Sequence, residues 1–426
     1  MYDMVIVGSG IGAAGLLSKI DVNGQDVCML TLDESYRKKY LASEEKFEYE
    51  YLVRKNRGNI HDWGGVLTLS NYVLDNYEDD FYTKALSNYY SFSNQFELTS
   101  HCCSELLKVE LTPKEIAPNL YHRKLLISNR KLLDRNMETR ISQKGIQKLS
   151  AKVDKFEKVQ GGYVIHTNDG VILKTKKIAL CAGAIGTRDI LIKSGYIEDA
   201  DFSFGDGKFG RIGRIRFDKS LPFGFFHHHL ISKMIRFKTG FEIKNENTDV
   251  MFFLQPAIKG IPASEIHLLK EFLNLKANFS LGNIWKFISS PKAIMQILLM
   301  EFSILNKTTD FDVYCIADFG KKKMLQDDSF NIDDINKNIS KAYFYFTEYL
   351  KENNKVDFVD HDDCSSIDFN SLESSIHMCG TVGYDNAIKY DVDKRLYTLH
   401  SDDNIIINDN SIITDKGIAN PSIQLF

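Results

Sequence analysis

His377 stands just before a tight turn in "HMCGT" (His377–Thr381), and Asn420-Pro421 makes a second turn 43 residues further on. A free imidazole titrates near about pH 6.5, so it can take and return a proton under neutral conditions. The Asn420 amide cannot act as a base, but it can hold a hydroxyl and orient the carbon that bears it. A third group, Gly8-Ser9-Gly10-Ile11-Gly12-Ala13, lies at the other end of the chain. Its first glycine permits a tight turn, and its second lets the backbone reach a pyrophosphate. The small third residue, Ala13, lets a helix close on a strand. A helix starting there presents free N–H groups and a partial positive charge to phosphate oxygens. Alone the His and the Asn prove little; set beside a dinucleotide-binding turn they suggest a redox site at which the two ends of the chain meet over one cofactor.

Strands and helices must position these groups. "DMVIVG" (Asp3–Gly8) is a short Val/Ile run ending in glycine, which predicts a buried strand. Ile11–Ile20 has helical apolar spacing, and "DVCMLTL" from Asp26 reads as a second buried strand. The resulting strand–helix–strand unit has the size of about thirty residues that a nucleotide-binding turn requires. An acid is expected at the end of the second strand, to meet ribose hydroxyls. Thr31 occupies that place, and Asp33 or Glu34 can substitute if the strand end bends. "RKNRGNIHDWGGVLTLSN" (Arg54–Asn71) is a glycine-punctuated loop with close backbone approaches. Lys152–Lys176 alternates in period two around Gly161-Gly162 and Asn168-Asp169-Gly170, the pattern of a β-meander. "KIALCAGAIGTRDILIKSG" (Lys177–Gly195) then reads as a further buried strand, a glycine turn and a helix.

Residues 215–369 have a different texture. Amphipathic strands ("TDVMFFLQPAI", "DFDVYCIADFG") flank a long helical stretch, and another helix is expected near Ile335–Leu350. At 426 residues two domains are expected. Residues 1–75, 145–214 and 370–426 form the nucleotide domain, and 76–144 with 215–369 form an inserted α+β domain.

Composition excludes several classes. Apolar residues at 43% and charged residues at 26% describe an ordinary globular chain. A formal charge of −4 gives no footprint for nucleic acid. The seven cysteines (28, 102, 103, 181, 315, 364 and 379) form no CxxC pair, so the expectation is a reducing compartment without a disulfide framework or zinc. The N-terminus shows no export signal, and the apolar run "AIMQILLMEFSIL" is too short to span a bilayer. A cytoplasmic protein is expected.

Four segments together carry a family resemblance. They are the Gly8–Ala13 turn; "RGNIHDWGG" (Arg57–Gly65), similar to "GGTSNLWGG"; "LCAGAIGTRDILIKSG" (Leu180–Gly195), similar to "AGAIETPRLLLxSG"; and His377–Phe426, similar to "HxxGT…NLYVVDASVFPT…GANPT". In this order and spacing the chain resembles the glucose–methanol–choline oxidoreductase family of FAD-dependent enzymes that oxidise alcohols and sugars. The resemblance implies an α/β protein with a discontinuous Rossmann-like FAD domain and an inserted α+β substrate domain on a mainly antiparallel sheet. It implies His377 as catalytic base and Asn420 as its partner, with hydride passing to flavin N5. It places Gly8, Ser9, Gly10, Ile11, Gly12, Ala13, Asp33, Glu34, Gly58, Trp63, Gly64, Gly65, Val153, Ala182, Gly183, Asn408, Asp409, Asn420 and Pro421 around FAD. The "WGG" loop is similar to that of members found beside polysaccharide-biosynthesis enzymes, which points to a sugar, a glycan or a lipid-linked sugar.

The chain also departs from the family. Gly186 and Asp189 replace the Glu and Arg after "AGAI", and Arg188 replaces Pro. In the family Asn-Pro opens a long helix aimed at the flavin pyrimidine; here five residues follow Pro421, so weaker support on that side is expected. His61 lies one place too early for the covalent flavin link of some relatives. His227-His228-His229 on a strand is read as cavity-lining or surface rather than metal-binding, and the acidic Asp360–Cys364 run as solvated. Residues 268–306 read as domain core or cavity cover, with an interfacial, membrane-peripheral patch as the alternative. The expected ligands are a small alcohol or sugar and an unidentified electron acceptor. Redox-neutral sugar modification and a non-catalytic binding subunit are the rival readings.

Overall fold

The computed structural model describes residues 1–32, 36–42, 47–53, 66–67, 84–89, 111–127, 130–198, 203–222, 227–229, 236–244, 249–257, 307–323, 332–354, 356–359, 372–374, 379–383, 387–391, 393–414 and 424–426. The first apolar run becomes strand β1 (Tyr2–Val7), followed by helix α1 (Ile11–Lys19) and β2 (Val27–Thr31). β1 has no polar face because both of its faces are covered. Met4 and Ile6 pack with Ala13, Ala14, Leu16 and Leu17 of α1, whereas Val5 and Val7 enter a second layer with Ile190 and Leu191. Each of the Val, Leu, Ile and Met side chains among them contributes about 1.5–3 kcal/mol when fully buried.

β2 pairs with β8 (Gln147–Ser150) on one side and with β1 on the other. β1 in turn pairs with β11 (Ile172–Leu180), and β11 with β21 (Asp402–Ile407). All four pairings are parallel, giving the order β8-β2-β1-β11-β21. The chain leaves β1 toward β2 and returns to its other side as β11, which creates a switch point at the carboxyl ends of these two strands. Two antiparallel additions complete the sheet: β9 (Val153–Val159) with β10 (Gly162–Thr167), and β19 (Ile388–Asp391) with β20 (Leu396–Leu399). The expected meander is present, with one difference. Its third strand and the "KIAL" strand are a single element, β11, which pairs antiparallel with β10 through Ile172–Thr175 and parallel with β1 through Thr175–Leu180. No turn residue separates the two halves, so the ladder only exchanges partners.

A second sheet has the order β17-β12-β16-β15-β14-β7-β5. Its members are β5 (Val66–Leu67), β7 (Leu120–Ile127), β12 (Ser203–Pro222), β14 (Arg236–Ile243), β15 (Asp249–Pro256), β16 (Lys307–Lys323) and β17 (Val356–Val359). β6 (Lys114–Ala117), β13 (His227–His229) and β18 (Glu373–Ser374) pair at its margins, and β3 (Tyr36–Ala42) with β4 (Phe47–Val53) forms a separate hairpin. Every pairing in this sheet is antiparallel. The boundary expected between residues 214 and 215 falls inside β12, a single strand that belongs wholly to this sheet. Helix α2 (Arg130–Gln143) and helical residues 84–89 send Met137, Ile141, Ala85, Leu86 and Tyr89 into the α1 layer of the first sheet. Helix α3 (Gly183–Lys193) lies on that sheet's opposite face, and α4 (Ile332–Asn354) covers one face of the second sheet through Ile339, Tyr343, Phe346 and Leu350. Among the described residues no helix is long and apolar enough to cross a membrane.

Candidate functional site

The carboxyl ends of the parallel strands are tied into one edge by a staircase of backbone bonds. Gly8 N–H donates to Leu30 O at 2.8 Å, Cys181 N–H to Val7 O at 2.8 Å, and Asn408 N–H to Leu180 O at 2.9 Å. Ala151 N–H donates to Thr31 O at 2.9 Å and brings the start of β9, with buried Val153, to the same edge. Sequence positions near 8, 31, 153, 182 and 408 therefore converge on one edge of the sheet.

Gly8 holds φ at +105°, a region that side chains other than glycine's rarely enter, and a Cβ there would meet Cys181 O at 2.2 Å. A Cβ at Gly12 would meet Asn408 O at 2.1 Å. The small residue there admits the end of β21 rather than only a neighbouring strand. Gly10 at the N-cap of α1 brings no side-chain acceptor. An α-helix leaves its first amides without intrahelical partners, so this end is chemically suited to an anion. Ala13 is fully buried in the α1 layer. Ser9 Oγ lies 3.1 Å from Thr31 Oγ1, so the residue in the ribose-acid position shares a hydrogen bond with the turn itself.

The Asn408-Asp409 pair turns its side chains into the protein. Asn408 Nδ2 donates to Gly12 O at 2.7 Å and Leu425 O at 3.2 Å, while its Oδ1 accepts from Lys19 Nζ at 2.9 Å. Asp409 Oδ2 accepts from Gly183 N–H at 2.9 Å and from the Thr187 hydroxyl, and its Oδ1 accepts from Ser411 N–H at 2.9 Å. One carboxylate thus caps α3 and the short helical turn Asn410–Ile412 together. Burial pushes the Asp409 carboxyl above its usual range although these donors favour the charged form. Burial, then the nearby Asp409 charge, raises the Cys181 thiol well above the usual thiol value. Burial, reinforced by Arg395, lowers the Lys19 ammonium to about 7.

His377, Asn420, Pro421, Asp33, Glu34, Gly58, Trp63, Gly64 and Gly65 lie outside the described residues, as do His61, the Asp360–Cys364 run and the 268–306 stretch. Residues 379–383 are fastened to the first sheet's edge. Gly380 N–H donates to Asn410 O at 2.8 Å and Val382 N–H to Ser411 O at 2.9 Å, so residues 380–382 run beside the Asp409 turn. Arg188 Nη1 donates to Thr381 O at 2.9 Å, and Thr381 Oγ1 donates to Ala184 O at 2.5 Å. Leu425 and Phe426 are buried on α1, with Asn88 Nδ2 donating to Phe426 O at 2.8 Å. Sequence reasoning did not single out Lys19 or Thr187, because their partners lie far away along the chain, and Thr381 showed only as part of the turn after His377. Arg188 showed only as a departure from a family pattern. The His227–His229 strand pairs with Arg236–Lys238 as β13 on β14.

No family model matches the sequence, and no curated protein matches it. Solved structures with a similar backbone course include a formate oxidase from Aspergillus oryzae RIB40, 11% identical over all of this chain and 96% of that one, with a TM-score of 0.46. Another is a putative FAD-containing monooxygenase from Photorhabdus luminescens subsp. laumondii TTO1, 14% identical over all of this chain and 86% of that one, with a TM-score of 0.36. A third is the peptidyl tryptophan dihydroxylase QhpG, 8% identical over 95% of this chain with a TM-score of 0.33; this chain spans 59% of its length.

Proposed function

We propose that this protein is an FAD-dependent oxidoreductase that oxidises a C–OH group of an alcohol or sugar. The observation that carries the reading is the glycine turn of α1 placed at the switch point of the parallel sheet, at the carboxyl end of β1. Its dinucleotide domain is Rossmann-like, and the mainly antiparallel second sheet is the substrate side. The residues fit an FAD pyrophosphate. Gly10 leaves the first turn of α1 without a side-chain cap, and Gly8 and Gly12 let the surrounding backbone close in without obstruction.

When bound, FAD accepts the hydride. The turn Gly8–Ala13 would hold the pyrophosphate, and the backbone at Val153 would meet adenine. His377 takes the hydroxyl proton, a role typically worth about 10²–10⁴-fold, and Asn420 orients the substrate carbon. The four-segment resemblance supports these assignments.

Protein purified as the full chain should be yellow, with an oxidised-flavin spectrum. A panel of primary alcohols, pyranoses and glycosides, added without oxygen, should contain a compound that bleaches it. His377→Ala should keep its flavin and lose the bleaching. Colourless protein that takes up no FAD on reconstitution removes the enzyme reading. That outcome would favour a non-catalytic subunit, a reading to which the Ser9–Thr31 bond lends weight because it occupies the hydroxyl in the ribose-acid place. Product formation with no acceptor consumed would instead mark a redox-neutral reaction.

A further inference from the structure

Arg188 sits on the second turn of α3, 3% exposed, between the buried apolar residues Ile185 and Leu191. Packing alone would be served better there by an apolar side chain, because a buried guanidinium must be hydrogen-bonded to be tolerated. It donates through Nη1 to Thr381 O at 2.9 Å and through Nη2 to Glu198 O at 3.4 Å. The bond to Thr381 is the informative one. Thr381 is fully buried and returns its own hydroxyl to Ala184 O on the same helix. On its other side the segment is held by the backbone bonds of Gly380 and Val382 to Asn410 and Ser411. The turn that receives those bonds is itself fastened to α3 by Asp409, through Gly183 and Thr187. The first two turns of α3 therefore bracket the chain from residue 380 to 382, beginning three residues after His377.

We propose that Arg188 is a positioning residue for the base: by fixing the Thr381 carbonyl it anchors the chain four residues after His377. The proposal rests on the reading of His377 as that base. It reaches the imidazole only through the backbone, so Arg188 itself touches neither substrate nor flavin.

Two measurements on the full chain test it without any substrate. The first is amide hydrogen exchange at Gly380 and Val382. Losing charge-assisted bonds of this kind should speed exchange there by about tenfold or more in Arg188→Met, with β1 and β2 amides unchanged. The second is the His377 imidazole resonance in histidine-labelled protein, assigned by its loss in His377→Gln. It should move in Arg188→Met and shift back toward wild type in Arg188→Lys, whereas His122, His166 and His400 stay in place. Thr381→Val keeps the carbonyl and should give less than about a threefold change in exchange, which retains a readable variant if Arg188→Met fails to fold. Exchange within twofold of wild type in Arg188→Met, or a His377 resonance that does not move there, overturns the proposal. Both readouts exist in apoprotein. A wild-type chain that refuses FAD therefore defeats the functional reading separately, by its spectrum.

Discussion

Two strand–turn–helix units stand side by side in the first sheet and treat their helix N-termini differently. In β1–α1 the N-cap is Gly10, which offers no acceptor. In β11–α3 the N-cap is Ala182, equally unable to cap, yet Asp409 reaches across from the end of β21 to Gly183 N–H and Thr187 Oγ1. The dipoles of both helices attract negative charge at these ends. One unit is answered by a carboxylate from inside the protein, while the N-cap of the other makes no side-chain cap among the described residues, as the proposed phosphate site would require. Neighbouring glycine turns of similar sequence thus need not share a role. What separates them is a carboxylate contributed by a distant part of the chain.

The contrast can be broken most sharply at the turn. Gly8→Val would force a side chain into positive φ and against Cys181 O, and should cost more than about 3 kcal/mol in urea denaturation and abolish FAD uptake. Gly186→Ala in the other unit should stay within about 1 kcal/mol of wild type, since its nearest contact is the Ala182 Cβ at 3.1 Å. Equal tolerance at the two sites would erase the distinction.

Asp409→Asn should cost about 1–3 kcal/mol by leaving a donor of α3 or of the 410–412 turn poorly matched. FAD affinity should change less than about threefold, on the premise that the carboxylate serves the fold. A folded variant that had lost all flavin would place Asp409 at the cofactor instead. The pH dependence follows from its raised carboxyl. Between the ordinary carboxylate range and the raised folded value, the native state holds a proton that the unfolded chain has released. Stability therefore falls as pH rises through that window, and the slope should vanish in the Asn variant.

Lys19→Met probes the junction of α1 with the end of β21. With the folded ammonium lowered to about 7, the unfolded chain keeps a proton that the native protein has lost at any pH between there and its ordinary value. Wild-type stability should rise by roughly 1–2 kcal/mol from pH 7 to 10, an amount discounted for the partly exposed stem, and the Met variant should show a flat profile. The smallest effect is expected from Ser9→Ala, about 0.5–1.5 kcal/mol for one hydroxyl bond, read from the urea midpoint.

Local, contiguous signals made much of this legible. Val5–Val7 and Ile178–Leu180 are unbroken apolar runs because parallel strands are covered on both faces, and the meander declares itself through Gly161-Gly162 and Asn168-Asp169-Gly170. The long strand β12 was not legible. Gly205, Gly207, Gly210 and Gly213 give it the composition of a loop, and its extended course is imposed by pairing with β16. The candidate site divides in the same way. The Gly8–Ala13 turn can be recognised from six residues, whereas Asp409 meets Thr187 across 222 positions and Arg188 meets Thr381 across 193. Spacing rules describe neighbours on one helix or strand and cannot see such pairs.

The bond from Asn408 Nδ2 to Gly12 O joins residues 396 positions apart. Its consequence lies in biosynthesis. Residues 2–31 can form β1, α1 and β2 among themselves, but the edge beside Gly12 stays unfinished until β21 and Leu425 arrive. For most of its synthesis the chain would expose the α1 flank that those segments later cover, and closing so long a loop is slow. Completion of the fold at this edge should therefore come late, when β21 and Leu425 dock on α1.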